Sequence, residues 1–182
     1  MDESVLRIAI FGPESTGKTR LAGELAAAFG EPWASEYVRE FWDRHGGRIV
    51  GADLPEIARG QIENEERAAR SARRVMFCDT ELLTNVLWAD LLFPGQCPDW
   101  VRQAAETRCR RYAVYLLCLT DLEFEPDPQR CFVDPEGRDS CMRLWRQTLL
   151  DRNLPCVEIG GSGADRLQRA RAAVAALLPP SS

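Results

Sequence analysis

Histidine and lysine are almost missing from this sequence. Its 182 residues include one His, His45, and one Lys, Lys18, so 22 of the 23 Lys and Arg residues are Arg. A metal centre of two or three imidazoles cannot form within one such chain, and a zinc helix of the H-E-x-x-H type is excluded. A Ser-His-Asp or Cys-His site would have to use His45, and a Lys Schiff base would have to use Lys18. No two of the seven cysteines stand in a C-x-x-C pair, which removes zinc ribbons and thioredoxin-like redox motifs. Several lie in apolar runs, Cys78 in VMFC and Cys118 in YLLCL, where a thiol behaves as a small hydrophobe. They read as reduced, structural thiols of a cytoplasmic protein.

Two further absences narrow the field. No run approaches the ~20 apolar residues that a membrane span needs, and the opening Met-Asp-Glu-Ser lacks the basic and apolar regions of a secretory leader. Positive charge is not in excess either. A formal net charge of −5 argues against a nucleic-acid partner held by counterion release. With 45% hydrophobic and 28% charged residues, the chain has the composition of a globular protein, and its length suits one domain over residues 1–182. Oligomerisation leaves no readable mark.

Residues Leu6–Phe11 are an apolar run ended by Gly12-Pro13 and predict a buried strand. After them, Leu21, Leu25 and Ala28 recur at helical spacing up to Gly30. Residues 33–37 read as a second strand, and residues 55–74 as a helix with a wide polar face. The run 75–78 predicts a strand ended by Asp79. Helices are expected over 81–92 and 99–110, and an apolar strand over 112–119. Residues 120–137 hold Pro126, Pro128 and Pro135 among acidic side chains and read as a loop. A helix over 138–150, a strand at 156–159, a helix over 164–178 and a frayed Pro-Pro-Ser-Ser tail complete the pattern. Strands apolar on both faces that alternate with helices imply an α/β fold, a parallel sheet covered on both sides.

Gly12-Pro13-Glu14-Ser15-Thr16-Gly17-Lys18-Thr19 has the P-loop pattern G-x-x-x-x-G-K-[ST], with a strand before it and a helical period after it. The glycines let the backbone curl so that successive N–H groups face an anion, and the helix start adds partial positive charge. Gly12, Glu14, Ser15, Thr16 and Gly17 are therefore placed around the ATP phosphates. Lys18 brings a compact cation to the β- and γ-phosphates, and Thr19 a hydroxyl to Mg²⁺. Here the only lysine meets a need that a planar guanidinium does not.

Asp79 ends an apolar strand, where a parallel sheet delivers a carboxylate to its crevice. It reads as the acid that organises Mg²⁺ beside Thr19. Glu36 is the candidate to accept the proton of a substrate hydroxyl. The 120–143 stretch, with Arg130, Arg138 and Arg143, resembles a lid that closes over the phosphates. Gly161 and Ser162 follow the last strand, where a nucleotide base would sit. The groups Arg67, Arg70, Arg73, Arg74 and Arg108, Arg110, Arg111 read as solvated helix ends.

Taken together, these motifs resemble the NadR-type ribosylnicotinamide kinases, a branch of the P-loop kinases. The resemblance rests on GPESTGKT at 12–19, Glu36-Tyr37-Val38-Arg39-Glu40, Gly60-Gln61, Phe77-Cys78-Asp79-Thr80 with Thr84, Asp121, the pair Asp127 and Arg130, and Gly161-Ser162 with Arg166. It implies a five-stranded parallel sheet with a lid, and MgATP-dependent phosphorylation of the ribose 5′-hydroxyl of nicotinamide riboside. By position it puts Glu36, Tyr37, Arg39, Gln61 and Asp127 around the riboside, and Arg130 and Arg138 at the phosphates. Three departures stand out. The family's ring-stacking aromatics are replaced by Ser35 and by Ile62-Glu63-Asn64, so Trp33 or Trp88 would have to substitute. The usual D-G-L-R reads Asp127-Pro128-Gln129-Arg130. The adenylyltransferase and DNA-binding parts of longer members have no room here, so the expected product is the mononucleotide. Two alternatives stay open: a kinase for another nucleoside or small hydroxyl compound, and a regulatory ATP-binding module that hydrolyses ATP slowly.

Overall fold

The computed structural model describes residues 5–179. The chain's first four residues, and the expected tail beyond Pro179, lie outside them. Five strands, β1 (Leu6–Phe11), β2 (Trp33–Ala34), β3 (Val75–Asp79), β4 (Tyr112–Cys118) and β5 (Cys156–Ile159), form one parallel sheet in the order β2-β3-β1-β4-β5. Among the described residues the α-helices are α1 (Lys18–Phe29), α2 (Tyr37–Arg44), α3 (Leu54–Ser71), α4 (Leu82–Leu92), α5 (Asp99–Arg108), α6 (Pro135–Asp151) and α7 (Gly163–Ala175).

The central strand shows why the sheet is covered twice. Along β1, Ile8 and Ile10 point into one apolar layer with Leu21, Leu25 and Val174, while Ala9 and Phe11 point into the other with Met76, Tyr115 and Trp145. This period of two is that of a strand. Ile8, Ile10 and Phe11 are fully buried, and each such side chain stabilises by about 1.5–3 kcal/mol. All seven cysteines are free thiols, five of them buried, with Cys131 and Cys156 exposed.

The helix boundaries depart from the sequence reading in two informative places. The expected strand over 33–37 is only Trp33–Ala34, and α2 begins at Tyr37. That helix has Phe41 as its only buried residue and is carried by packing on α3. The Gln61 carboxamide oxygen accepts the Tyr37 N–H at 2.9 Å, and the Tyr37 ring lies where any Cβ on Gly60 would be. Local periodicity over eight residues does not reveal a helix held this way. The expected loop over 120–137 ends earlier, because Asp134 caps α6 by accepting the Gly137 N–H at 2.8 Å and Pro135 occupies the first turn.

Arg108 corrects the reading of a solvated helix end. Its side chain is 11% exposed and bridges Glu65 at 2.9 Å and Glu66 at 2.7 Å. Glu66 also meets Arg7 at 3.3 Å and Arg111 at 3.5 Å. Removing one partner of such a buried pair costs about 3–5 kcal/mol.

A second buried acid contributes to how stability responds to pH. Glu81 is fully buried and caps α4, accepting the Leu83 N–H at 2.8 Å on one oxygen, while its other oxygen has no partner. Burial pushes its carboxyl up to about 8. The folded value thus lies above that of an unfolded Glu, so this contribution to stability is complete below a pH of about 4.3 and is lost as pH rises through about 8. Glu81→Gln keeps the cap acceptor and cannot ionise. It is predicted to flatten the fall in urea midpoint between about pH 5 and 8. The same slope in both proteins would refute this assignment.

Candidate active site

The phosphate loop is the turn from the central strand into α1. Gly12 has φ +144°, and a Cβ there would stand 2.8 Å from the Cys118 carbonyl oxygen, so glycine alone lets β1 leave the sheet against β4. Gly17 is left-handed at φ 73° and starts α1 at Lys18. The first turn of that helix leaves its N–H groups unpaired within the helix and its positive dipole end at the loop. The Thr16 hydroxyl donates to the Pro13 carbonyl at 2.9 Å, and Lys18 Nζ donates to the same oxygen at 2.7 Å. The loop is therefore tightened from inside by two of its own side chains.

Asp79 arrives from the neighbouring strand β3 and is fully buried. Neither carboxylate oxygen has a well-formed hydrogen bond. Burial, followed by the charge of Glu36, pushes Asp79 up to about 7, against the pull of Lys18, Thr19 and Arg39. The next residue, Thr80, sits at φ +66°, an unusual conformation for a β-branched residue. Glu36 is the residue before α2, and Arg39 lies one turn later. The Arg39 guanidinium reaches Glu36 at 3.2 Å and Asp127 at 3.3 Å.

Residues 122–132 fold down on the phosphate loop. Ser15 Oγ accepts from the Glu125 N–H at 3.1 Å and from Arg130 at 3.2 Å. The Glu14 carboxylate accepts the backbone N–H groups of Cys131 and Phe132. Arg130 and Arg138 both lie over the Phe124 ring, 5.5 and 5.4 Å from its centroid. Behind the loop, Arg166 is 5% exposed and feeds four acceptors: Asp121 at 2.8 Å, the Gly161 carbonyl at 2.7 Å, the Thr16 carbonyl at 2.9 Å and the Leu119 carbonyl at 3.1 Å.

These elements enclose a cleft of about 730 Å³. The phosphate loop, the start of α1, residues 122–131 and residues 162–166 line one part. The other part is lined from α2, α3, α4 and α5, with Trp42, Trp88 and Phe93 among its aromatic walls. Of the residues singled out in the sequence, Glu14, Ser15, Thr16, Gly17, Lys18, Thr19, Glu36, Arg39, Trp88, Arg130 and Ser162 line this cleft. Asp79 is buried beside Lys18, Thr19, Glu36 and Arg39, and Asp127 is held by Arg39.

Other expected ligands are turned elsewhere. Gln61 is buried and spends its carboxamide on Tyr37 and on the Thr80 carbonyl at 3.5 Å, so it is a tie between α2, α3 and β3. The Tyr37 hydroxyl accepts from Arg44 at 2.6 Å, away from the cleft walls. Arg138 donates to the Thr120 and Leu122 carbonyls, and Arg143 to Ser140 Oγ. Gly161 donates its N–H to Asp121 at 2.6 Å. Trp33 is 36% exposed on the edge strand and does not line the cleft. Sequence reasoning missed Trp42, because it missed α2. It also passed over Asn85, although Asn85, Trp88, Ala89 and Leu92 follow the helical spacing that puts them on one face of α4.

The profile of a family described as an AAA domain matches residues 7–166. Two curated relatives, both described as the trifunctional NAD biosynthesis/regulator protein NadR, are 34% identical (Salmonella typhimurium) and 36% identical (Escherichia coli) over 159 residues. In each the match takes in 85% of this chain and 38% of the relative, so the chain spans well under half the length of the curated relatives it matches. A crystal structure of NadR protein in complex with NR superposes with a TM-score of 0.73 at 20% identity, covering 94% of this chain and 49% of that one. A deoxyadenosine kinase from M. mycoides superposes with a TM-score of 0.66 at 10% identity, covering 94% of this chain and 100% of that one. The likeness to these structures is one of fold, that of P-loop nucleoside and nucleotide kinases. By the profile that spans most of its length, the chain belongs to the AAA domain family.

Proposed function

We propose that the chain is an ATP- and Mg²⁺-dependent kinase that phosphorylates the ribose 5′-hydroxyl of nicotinamide riboside, giving nicotinamide mononucleotide. The observation that carries this reading is that Lys18, Thr19 and the Glu36–Arg39 pair line one cleft, with Asp79 buried beside them and its carboxylate oxygens without a well-formed hydrogen bond. A nucleotide-binding switch needs Lys18, Thr19 and Asp79 but has no use for an acid and arginine facing an apolar recess. The naming of the curated relatives for NAD biosynthesis supports the choice of acceptor.

In this mechanism the N–H groups of residues 14–19 hold the ATP phosphates, and Lys18 exchanges the Pro13 carbonyl for their oxygens. Mg²⁺ fits Thr19 and Asp79: a buried carboxylate with two unpartnered oxygens next to a hydroxyl is a hard-oxygen donor set. Bound there, the ion supplies charge neutralisation at the β- and γ-phosphates. Glu36 takes the proton of the acceptor hydroxyl as that oxygen bonds to the γ-phosphorus and the bond to the bridging β–γ oxygen breaks. Arg39 aligns Glu36, and Arg130 meets the charge on the transferring group. The 120–143 segment acts as the lid and excludes water. Arg166 is a positioning residue: it holds the Thr16 carbonyl of the phosphate loop to the Gly161 turn, where the adenine would lie.

Purified protein with MgATP and nicotinamide riboside is expected to release ADP and form the mononucleotide, read by a coupled assay and mass spectrometry. ADP release that no riboside stimulates would sink the proposal. Lys18→Ala should lower turnover by about a hundredfold or more with the melting temperature retained. Glu36→Gln should lower kcat by about 10²–10⁴-fold while KM for ATP stays within about twofold. A small, equal effect on both would remove Glu36 from the base role. Arg166→Lys keeps the charge but loses the fork, and should raise KM for ATP by about tenfold. A lower melting temperature with unchanged KM for ATP would make Arg166 a purely structural group.

A further inference from the structure

The backbone around Arg130 is held more firmly than its side chain. Among the described residues the guanidinium donates to Ser15 Oγ at 3.2 Å and lies over the Phe124 ring, while its Nε has no partner. On the N-terminal side, the Arg130 N–H donates to the Asp127 carbonyl at 3.0 Å. The Asp127 carboxylate in turn accepts from Arg39 at 3.3 Å and from the Gln129 N–H at 2.9 Å. On the C-terminal side, the next two N–H groups, those of Cys131 and Phe132, both donate to the Glu14 carboxylate. The Phe132 ring then stacks on Trp88 with centroids 6.1 Å apart, and Trp88 meets the fully buried Trp145 at 5.0 Å.

From this we infer that Glu14 is a positioning residue: it latches the lid to the phosphate loop and, through residues 131 and 132, sets where the Arg130 guanidinium stands. The inference rests on the kinase reading for the role of Arg130, and goes beyond it in giving Glu14 a task other than holding phosphate. A carboxylate is a poor neighbour for a polyphosphate, so its place in a loop of anion-facing N–H groups calls for another partner. Here each of its oxygens takes one lid N–H. Hydrogen bonds to an ionised acceptor are about twice as strong as neutral ones. Glu14 and Lys18 belong to the same loop, so the latch puts the lid arginine and the loop lysine in one frame. Phe132 supports the clasp from the other side, because its ring rests on Trp88, a wall of the cleft. A displacement of about 1 Å at a catalytic group can cost about 10²-fold in rate. A clasp on the adjoining backbone therefore has kinetic weight although Glu14 touches no reacting atom.

The latch is read without substrates, by limited trypsin digestion with the cut after Arg130 followed by mass spectrometry. The cut after Arg48, exposed and outside the lid, is the internal control. Glu14→Ala is expected to speed cleavage after Arg130 by about tenfold or more relative to Arg48. Glu14→Gln keeps an acceptor oxygen without the charge and should fall between the two, and Phe132→Ala should speed the cut by roughly threefold. These two variants keep the test open if Glu14→Ala folds poorly. With MgATP and riboside, Glu14→Ala should lower kcat by about tenfold or more. Combined with Arg130→Ala, its loss should overlap, so that the double variant falls short of the product of the single losses by about tenfold. Unchanged cleavage after Arg130 in the Glu14 variants, or kcat losses that multiply, overturns the inference and leaves the kinase reading intact. No turnover of any riboside removes the kinase reading and the role of Arg130 with it, and the cleavage rates then decide the latch alone.

Discussion

The crevice depends on one buried guanidinium. Arg166 reaches the Thr16 carbonyl in the loop after β1, the Leu119 carbonyl and Asp121 after β4, and the Gly161 carbonyl after β5. Parallel strands alone leave their C-terminal ends free to splay, because the sheet's hydrogen bonds stop where the strands stop. A side chain with five N–H donors in a rigid fork is suited to closing such a gap. Asp121 supplies the charge that makes its burial tolerable, and takes a second hydrogen bond from the Gly161 N–H. The Arg166 contacts thus tie the positions of the phosphate loop and the 160–163 turn together.

Four buried or half-buried carboxylates show how environment separates roles. Glu65 is raised by burial but meets Arg108, and Glu81 is raised by burial and caps a helix. Both have structural partners. Asp79 has the burial without such a partner, and Glu36 adds its charge to the same site. An acid that is costly to ionise in the folded chain becomes inexpensive once a cation arrives, which is the behaviour expected of a metal-organising residue. Stability is given up at Asp79 that would be recovered on binding.

Legibility followed the range of the interactions. The five-stranded parallel sheet and the P-loop were readable because each is encoded within about ten consecutive residues: an apolar run, a glycine turn, a helical period. Lys18, Thr19, Glu36, Arg39 and Arg130 could be named because motif and position coincide, and the cleft brings them together. Gln61 and Tyr37 were misplaced for the opposite reason. Their motif positions are adjacent to the site, but the Gln61 carboxamide is consumed by backbone 19 and 24 residues away in sequence. Arg108 likewise looked like a solvated helix end until the fold brought Glu65 beneath it, 43 residues away. Nothing local marks such pairings. Trp42 was hidden by a helix too short to announce itself, whereas Asn85 was legible in principle from the spacing of Trp88, Ala89 and Leu92 along α4.

The scarcity of lysine now has a physical account. Several arginines work as forks or surfaces: Arg166 with four acceptors, Arg108 with two acids, Arg39 bridging Glu36 and Asp127, Arg130 and Arg138 over Phe124. An ammonium cannot replace a guanidinium in any of these without losing donors or the planar face. At position 18 the demand is reversed. The side chain begins in the first turn of α1 and ends on the Pro13 carbonyl, inside a loop already tightened by Thr16. A planar group with five donors would open that loop to find acceptors, whereas a compact charge on a flexible stem can shift from a carbonyl to a phosphate oxygen without moving the backbone. On the kinase reading proposed above, the sole lysine sits where a cation would change partners, whereas Arg166, Arg108 and Arg39 are held by fixed acceptors.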